Sequence, residues 1–202
     1  MGSITPATEH DIMEATRGVL ASEGFVDLTL TAVAREADVA GDLLRREYDG
    51  PAGLAAAFVE YERDRLAEFL LTASDDPRVR LRALLERTVG LTDPDAEALV
   101  PAYMELYARA ERHERLREAL SAFDADVHAA LAETVREGVE TGAFSDCDPE
   151  AVATMIGGAR SAVLERCALN VDDADVRDAL DELVLSRVRA PERDHPSTTR
   201  SS

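Results

Sequence analysis

Apolar residues along this chain repeat at intervals of three and four, the spacing that places side chains on one face of an α-helix. In the N-terminal quarter, this spacing predicts a first helix and then two short apolar stripes separated by Val39. The stripe positions are Ile12, Ala15, Val19 and Leu20 on the first helix, Val33, Ala34 and Ala37 on the second, and Leu43, Leu44 and Tyr48 on the third. Two short helices joined by a few residues predict a helix-turn-helix, in which the second helix can enter a DNA major groove.

The remainder of the chain shows the same helical period, punctuated by a capping residue followed by proline. A proline in the first turn of a helix loses no hydrogen bond, so Thr5-Pro6, Gly50-Pro51, Asp76-Pro77, Asp93-Pro94 and Asp148-Pro149 predict helix starts. Pro101 either starts a further helix or kinks one, and the longest apolar stripe, from Leu116 to Val135, should end near Gly142. Another helix is expected after residues 171–173.

We therefore predict an all-α fold of about nine helices, with no strand signal. Residues 1–50 form an N-terminal three-helix helix-turn-helix domain for DNA binding. Residues 51–190 are expected to form a larger helical-bundle domain. Residues 191–202 have no apolar period, and we expect a disordered tail there.

Composition agrees with packed helices. The 202 residues are 46% hydrophobic but only 4% aromatic, with no Trp, so the core must consist mainly of Ala, Leu and Val. No apolar run approaches the roughly 20 residues needed to span a bilayer, and the N-terminal residues lack a secretory signal pattern. The two cysteines, Cys147 and Cys167, have no metal-binding or redox spacing. We expect a cytoplasmic protein with reduced thiols and no membrane partner.

The net charge of −19 is unusual for a DNA-binding protein, because neutralisation of phosphates supplies much of the affinity for DNA. All 22 basic residues are Arg, and the chain contains no Lys. An acidic chain without lysine suggests a halophilic cytosol, in which a strongly charged surface maintains solubility. In about 1 M salt the Debye length is about 3 Å, so repulsion between the chain and DNA would be screened.

The N-terminal pattern resembles that of the tetracycline-repressor (TetR) family of transcriptional regulators. The resemblance covers about a quarter of the chain, and its residues are Gly24-Phe25, Thr29, Ala34, Ala37, Val39, Leu44, Tyr48 and Leu54. Three positions depart from the family pattern: Asp38 replaces a glycine, Arg45 a tyrosine and Pro51 a lysine. The resemblance implies a ligand-responsive repressor that binds a palindromic double-stranded DNA operator as a homodimer and responds to an unidentified small-molecule effector. It also implies that residues 51–190 form the effector-binding and dimerisation domain.

For DNA binding, the candidates lie at the start of the second helix, along the third helix and at the start of the fourth. Arg45 and Arg46 can contact guanine edges or phosphates, and Gly41 permits close approach of the backbone. Tyr48 can contact phosphate or pack in the core, and packing is the favoured role. The full set of candidates is Thr29, Thr31, Ala40, Gly41, Asp42, Arg45, Arg46, Tyr48 and Ala52.

A ligand pocket in the larger domain is implied by the resemblance, and the scarce aromatic residues indicate where it lies. Tyr103, Met104, Tyr107 and Phe123 cluster on two adjacent helices, although each could simply belong to the core. Arg160 could bind an anionic effector or form an ion pair with a carboxylate, and the ion pair is the favoured alternative.

The dimer interface is predicted from two apolar stripes on the last two helices. Their residues are Met155, Ile156, Ala159, Val163, Leu180, Leu183 and Val184. The alternative is that these residues complete the core of a single chain. A two-fold operator favours a two-fold protein, so we assign them to the interface.

We expect no enzyme activity, because no nucleophile has an adjacent base and no residue spacing completes a metal site. Asp124 and His128 share one helix face, but no second pair accompanies them. No cofactor is expected. A second hypothesis is a small-molecule-binding helical dimer that has lost DNA binding, and a carboxylate-bundle enzyme is a distant third.

Overall fold

The computed structural model describes residues 5–89 and 94–169, together with residues 174, 175 and 178. Every regular element in these residues is an α-helix, so the predicted all-α fold is confirmed. The helices are α1 (Pro6–Glu23), α2 (Leu30–Glu36), α3 (Gly41–Glu47), α4 (Gly50–Thr72), α5 (Pro77–Val89), α6 (Pro94–Ala110), α7 (Glu114–Glu140) and α8 (Pro149–Ala168). We call α1–α3 the head and α5–α8 the body. None of the described helices is both long and apolar enough to cross a membrane.

The predicted helix starts are confirmed. The helices α1, α5, α6 and α8 each begin on a proline, and α4 begins one residue before Pro51. Thr5 caps α1, because its hydroxyl oxygen accepts a hydrogen bond of 3.2 Å from the backbone N–H of Thr8. Asp148 caps α8 by accepting from the N–H of Glu150 at 3.0 Å. Pro101 lies inside α6 rather than at its start.

Two hydrophobic clusters form the core, and the first of them does not end at the predicted domain boundary near residue 50. It joins the buried residues of α1, α2 and α3 to the first half of α4, and continues into α6 and the start of α7. Leu54 and Phe58 of α4 and Leu116 of α7 all belong to it and are 0% exposed. The second cluster comprises the end of α4 with α5, α7 and α8. The head therefore shares its core with the body.

Of the predicted helix after residues 171–173, the structure describes residues 174, 175 and 178, which are helical, and the predicted disordered tail lies outside the described residues. The end of α7 agrees with the prediction: Gly142 has a φ of 69°, and the N–H of Phe144 donates to the carbonyl of Gly138 at 2.8 Å. A Cβ atom at Gly138 would lie 1.9 Å from the Phe144 ring, so this ring packs directly on the α7 backbone.

The turn between α2 and α3 depends on a left-handed residue. Asp38 has a φ of 53°, and among the described residues it is the one non-glycine residue with a positive φ. This conformation allows the N–H of Val39 to reach back to the carbonyl of Ala34 at 2.9 Å, which closes α2. Asp tolerates the left-handed region better than most residues, so it serves where glycine is usual.

We expect Asp38→Ala to lower the free energy of unfolding by about 1 kcal/mol, because alanine is less favourable in the left-handed conformation. Asp38→Gly should lower the free energy of unfolding by a few tenths of a kcal/mol at most. The measurement is equilibrium urea denaturation, with Asp27→Ala as the control, because Asp27 is also exposed and lies in a turn without a positive φ. An equal loss in the control would contradict the role assigned to Asp38.

Candidate nucleic-acid interface and ligand groove

Helix α3 is held on the head by its buried residues and exposes its opposite face. Leu44 is 0% exposed and belongs to the first core cluster, with Tyr48 packed beside it just after the helix. The exposed side chains of α3 are Asp42, Arg45, Arg46 and Glu47. Their formal charges cancel, so this face has no net positive charge of its own.

The two arginines on this face are not equivalent. An Nη atom of Arg45 donates to the Asp42 carboxylate at 2.8 Å. This hydrogen bond and the charge of Arg45 lower the pKa of the Asp42 carboxyl group. The guanidinium group folds back over the start of α3, since a Cβ atom at Gly41 would lie 3.4 Å from it. Arg46 has no ion pair within the described part of the chain and remains available to a ligand.

The other predicted DNA-binding residues differ in exposure. Thr29 caps α2, because its hydroxyl oxygen accepts from the N–H of Ala32 at 3.0 Å, which leaves its own proton free to donate. Thr31 and Ala40 are exposed, whereas Gly41 and Ala52 are half-buried.

Tyr48 is 8% exposed and packs against the core. Burial raises the pKa of its phenol to about 12, and the neighbouring Glu9 and Glu47 add to the effect. Tyr48 therefore packs in the core, the role favoured from the sequence, and its contact with phosphate stays a prediction.

Polar contacts join the head to α4 and α6. The N–H of Phe25, just after α1, donates to the Glu105 carboxylate of α6 at 2.8 Å, and the Arg109 guanidinium lies 4.4 Å from the centre of the Phe25 ring. Arg17 of α1 forms an ion pair with Glu62 of α4. A movement of α4 or α6 would therefore be transmitted to the head through these direct contacts.

A half-open groove of about 620 Å³ lies between α6, α7 and α8. Three of the five predicted ligand-binding residues, Met104, Tyr107 and Arg160, line it. Apolar side chains form most of its wall, and Thr88, Asp124 and His128 provide polar groups that sequence reasoning did not select. The remaining two predicted residues, Tyr103 and Phe123, stack with ring centroids 6.4 Å apart and line a smaller adjoining cavity.

Asp124 is at the centre of the polar network in this groove. It accepts hydrogen bonds of 2.7 Å from an Nη atom of Arg160 and of 2.7 Å from the hydroxyl of Tyr107. Burial raises the pKa of Tyr107 to about 12, with Arg160 acting against this rise and Asp124 adding to it. Arg160 thus has a carboxylate partner, the alternative favoured from the sequence, and also lies over the Phe123 ring at 5.8 Å.

The adjoining cavity has a volume of about 70 Å³ and lies where α1 meets the body. Its wall contains three arginines, Arg17, Arg87 and Arg160, together with Glu62. None of Arg17, Arg87 and Glu62 was selected from the sequence. These three residues lie on helices that are tens of residues apart in the sequence. The spacing of residues along the chain therefore cannot predict that they line one cavity.

The predicted dimer residues on α8 divide into two groups. Ile156 and Val163 are each 1% exposed within the second core cluster, so they complete the core of the chain and offer no side-chain surface to a second copy. Met155 and Ala159 are half-buried at the edge of this cluster. Leu180, Leu183 and Val184 lie outside the described residues. The exposed face of α8 instead carries small residues, namely Ala151, Thr154, Gly157, Gly158 and Ser161.

In the described residues, no group of three or more His, Cys, Asp or Glu side chains could hold a metal ion. Cys147 is a free thiol, and burial raises its pKa, with Asp146 and Asp148 adding to the rise. This shift disfavours the reactive thiolate form.

Comparison with known proteins agrees with this architecture. Residues 77–159 match a family model described as the C-terminal region of BetI-type transcriptional repressors. No curated protein matches the chain in sequence.

Solved structures match the chain along most of its length. A TetR transcription regulator from Haloarcula marismortui is 26% identical with a TM-score of 0.72, covering 92% of this chain and 100% of that one. A TetR-family regulator from Rhodococcus sp. is 25% identical with a TM-score of 0.71, covering 90% and 99% of the two chains. A regulator from Saccharomonospora viridis, solved in complex with choline, shares the fold at 16% identity and a TM-score of 0.69, covering 91% and 98%.

The matched region of the family model comprises α5 to the middle of α8, and the structural matches add the head with its helix-turn-helix. The chain therefore has the TetR fold, and it is similar to TetR-like transcriptional regulators over most of its length.

Proposed function

We propose that this protein is a transcriptional repressor that binds a palindromic operator as a homodimer and releases it when a small molecule occupies the groove. The observation that carries the proposal is the exposed face of α3, with Arg45 and Arg46 on a helix whose opposite face is buried through Leu44. A short helix supported in this way can enter a major groove without leaving the head.

The acidity of the head sets the conditions for binding. The first 60 residues contain four arginines and eleven carboxylates, so the head approaches phosphates with like charge. In about 1 M salt, charges farther apart than about 3 Å are screened, and contact-range hydrogen bonds then determine affinity. The absence of lysine and the net charge of −19 support a salt-rich cytosol as the setting.

The groove supports a role for an effector. Its volume of about 620 Å³ lies in the range typical of small-molecule sites, and an apolar wall with a few polar groups is also typical of them. The choline complex of the Saccharomonospora viridis regulator indicates that this fold can hold a small molecule. Because α6 lines the groove and also contacts Phe25 through Glu105 and Arg109, a ligand there can shift the head.

We expect Arg46→Gln to weaken operator binding by about 5- to 150-fold, the range for loss of one bidentate base contact. The operator is first selected from genomic fragments in about 1 M potassium chloride. Affinity is then measured by fluorescence anisotropy, with Arg82→Gln as the control, because Arg82 is exposed on α5 of the body.

Arg45→Ala should also weaken binding without changing the mass of the dimer. A pure dimer that prefers no fragment over random duplex would overturn the proposal and favour the ligand-binding dimer without DNA binding. Equal losses for Arg46→Gln and Arg82→Gln would remove Arg46 from the interface.

Asp42→Asn provides a separate test of the ion pair on α3. The substitution removes a negative charge from the DNA-facing side and frees Arg45, so we expect tighter operator binding. The gain should be several-fold in about 0.2 M salt and small in about 1 M salt, because screening weakens the repulsion that is removed. Weaker binding at both salt concentrations would instead mean that Asp42 positions Arg45 for a base contact.

We propose that a second copy packs on the exposed small residues of α8, among them Gly157 and Gly158, and Gly158→Arg tests this dimer surface. Among the described residues, no atom lies within 4 Å of a Cβ atom at Gly158, so we expect a single chain to accept the arginine. A second copy packed on this face would clash with the arginine side chain. Light scattering should therefore show the mass falling from that of a dimer to that of a monomer. Gly18→Arg on α1 is the matched control, because Gly18 is also exposed and has equal space. A Gly158→Arg protein that remains dimeric would exclude this face as the interface.

A further inference from the structure

The cavity of about 70 Å³ beside the groove, which we call the junction cavity, lies where six helices meet. Its charged groups are the guanidinium groups of Arg17 from α1, Arg87 from α5 and Arg160 from α8, and the carboxylate of Glu62 from α4. Thr88 and Tyr103 add hydroxyl groups to the wall. Three arginines around so small a space are unexpected in a chain with a net charge of −19.

Within the described part of the chain, the carboxylates near the junction cavity do not balance the arginines. Glu62 pairs with Arg17, and Arg65 lies 3.7 Å from the same carboxylate oxygen. Glu14 pairs with Arg65 at 3.0 Å and lies 3.7 Å from Arg17. Arg160 pairs with Asp124, which lines the larger groove. Arg87 has no ion pair among the described residues, and its guanidinium group lies 5.7 Å from the centre of the Phe69 ring.

Arg87 therefore keeps its charge in a half-buried position with little compensation. Burial lowers the pKa of this guanidinium group, and the charges of Arg65 and Arg17 lower it further against the effect of Glu62. An additional negative charge in the cavity would stabilise the charged form of Arg87.

Arg17 provides an independent observation. Among the described residues, its buried Nε atom has no hydrogen-bond partner. Buried N–H groups usually have such a partner. Arg17 already uses an Nη atom to bind Glu62, and the Glu14 carboxylate oxygen lies 3.7 Å from the Nε atom, beyond hydrogen-bond distance, so this N–H group can still donate to an added acceptor.

We propose that the junction cavity binds an anion the size of chloride or of a carboxylate group, held by Arg17 and Arg87. The volume is sufficient, because a space of about 10–15 Å³ already holds one water molecule. The hydroxyl of Tyr103 is a further hydrogen-bond donor in the wall, whereas the hydroxyl of Thr88 already donates to the carbonyl of Leu84 at 2.6 Å.

The anion can be free in solution or can be one end of the effector. Thr88, Arg160 and Leu164 line both the junction cavity and the groove, so the two spaces share a wall. A carboxylate in the cavity could thus continue into an apolar body lying in the groove. In this form the inference rests on the proposed function and names the chemical class of its effector. Since Arg17 belongs to α1, the bound anion would contact the head directly.

The test uses the full-length protein and its melting temperature, measured without DNA. Chloride or acetate is added at constant ionic strength, with potassium fluoride as the balancing salt. Both anions should raise the melting temperature along a saturating curve, because a ligand that binds only the folded state stabilises it. Arg87→Gln should weaken apparent binding about tenfold or more, because it removes a charged hydrogen-bond donor.

Arg82→Gln is the matched control, since it removes the same charge from an exposed position on the same helix. It should leave the shift in melting temperature unchanged, and Arg87→Lys should retain most of it. Equal shifts in Arg87→Gln and Arg82→Gln, or no saturating shift with either anion, would overturn the proposal. Crystals soaked in bromide give a second measurement that needs no variant, and the absence of an anomalous peak in the cavity would also overturn it.

A series of longer carboxylates separates the two sources. If the anion is the end of the effector, each added methylene should tighten binding about fourfold, the value for burying about one CH₂ group in the groove. If the anion is free, chloride should bind and longer acids should bind no better than acetate. Neither result depends on DNA binding, so failure of the anion site and failure of the repressor proposal are distinguishable.

Discussion

The position of the head depends on the hydrophobic core that it shares with the body. Three short helices bury too little apolar surface to be strongly stable alone, and here Leu44 of α3 and Leu54 of α4 belong to the same cluster as Leu116 of α7. Because this core is continuous, the head cannot rotate as a free domain on a linker. Any movement of it must repack side chains along α4 and α6, which limits it to a few discrete arrangements.

Ion pairs between arginine and carboxylates surround this core. They stabilise one arrangement of the head relative to the others. Arg17 and Glu62 join α1 to α4, and the Arg65 guanidinium of α4 lies 3.0 Å from the Glu14 carboxylate of α1. Glu62 is 9% exposed, so loss of its partner would leave a nearly buried charge. The more exposed pairs contribute little each, since water screens them. The buried contacts between α1 and α4 are therefore those that fix where the head lies.

Local sequence signals were sufficient for the helices but not for the sites. Prolines after capping residues predicted the starts of α5, α6 and α8, because the effect of a proline on the backbone acts within a few residues. The partner of Arg160 could not be chosen from 41 acidic residues, since that choice depends on how α7 packs on α8. For the same reason Arg17 and Arg87 were overlooked. Apolar period alone also cannot distinguish a core face from an interface, as Ile156 and Val163 show.

Because every basic residue is arginine, we expect acid but not alkali to weaken these ion pairs. A guanidinium group keeps its proton far above neutral pH, whereas a lysine ammonium begins to lose its proton near pH 10. In alkaline solution the cation of every Arg–carboxylate pair thus remains charged, and these pairs lose their attraction only when acid protonates the carboxylates. The absence of ε-amino groups also means that acetylation of lysine, a common way of removing positive charge from DNA-binding proteins, has no target in this chain.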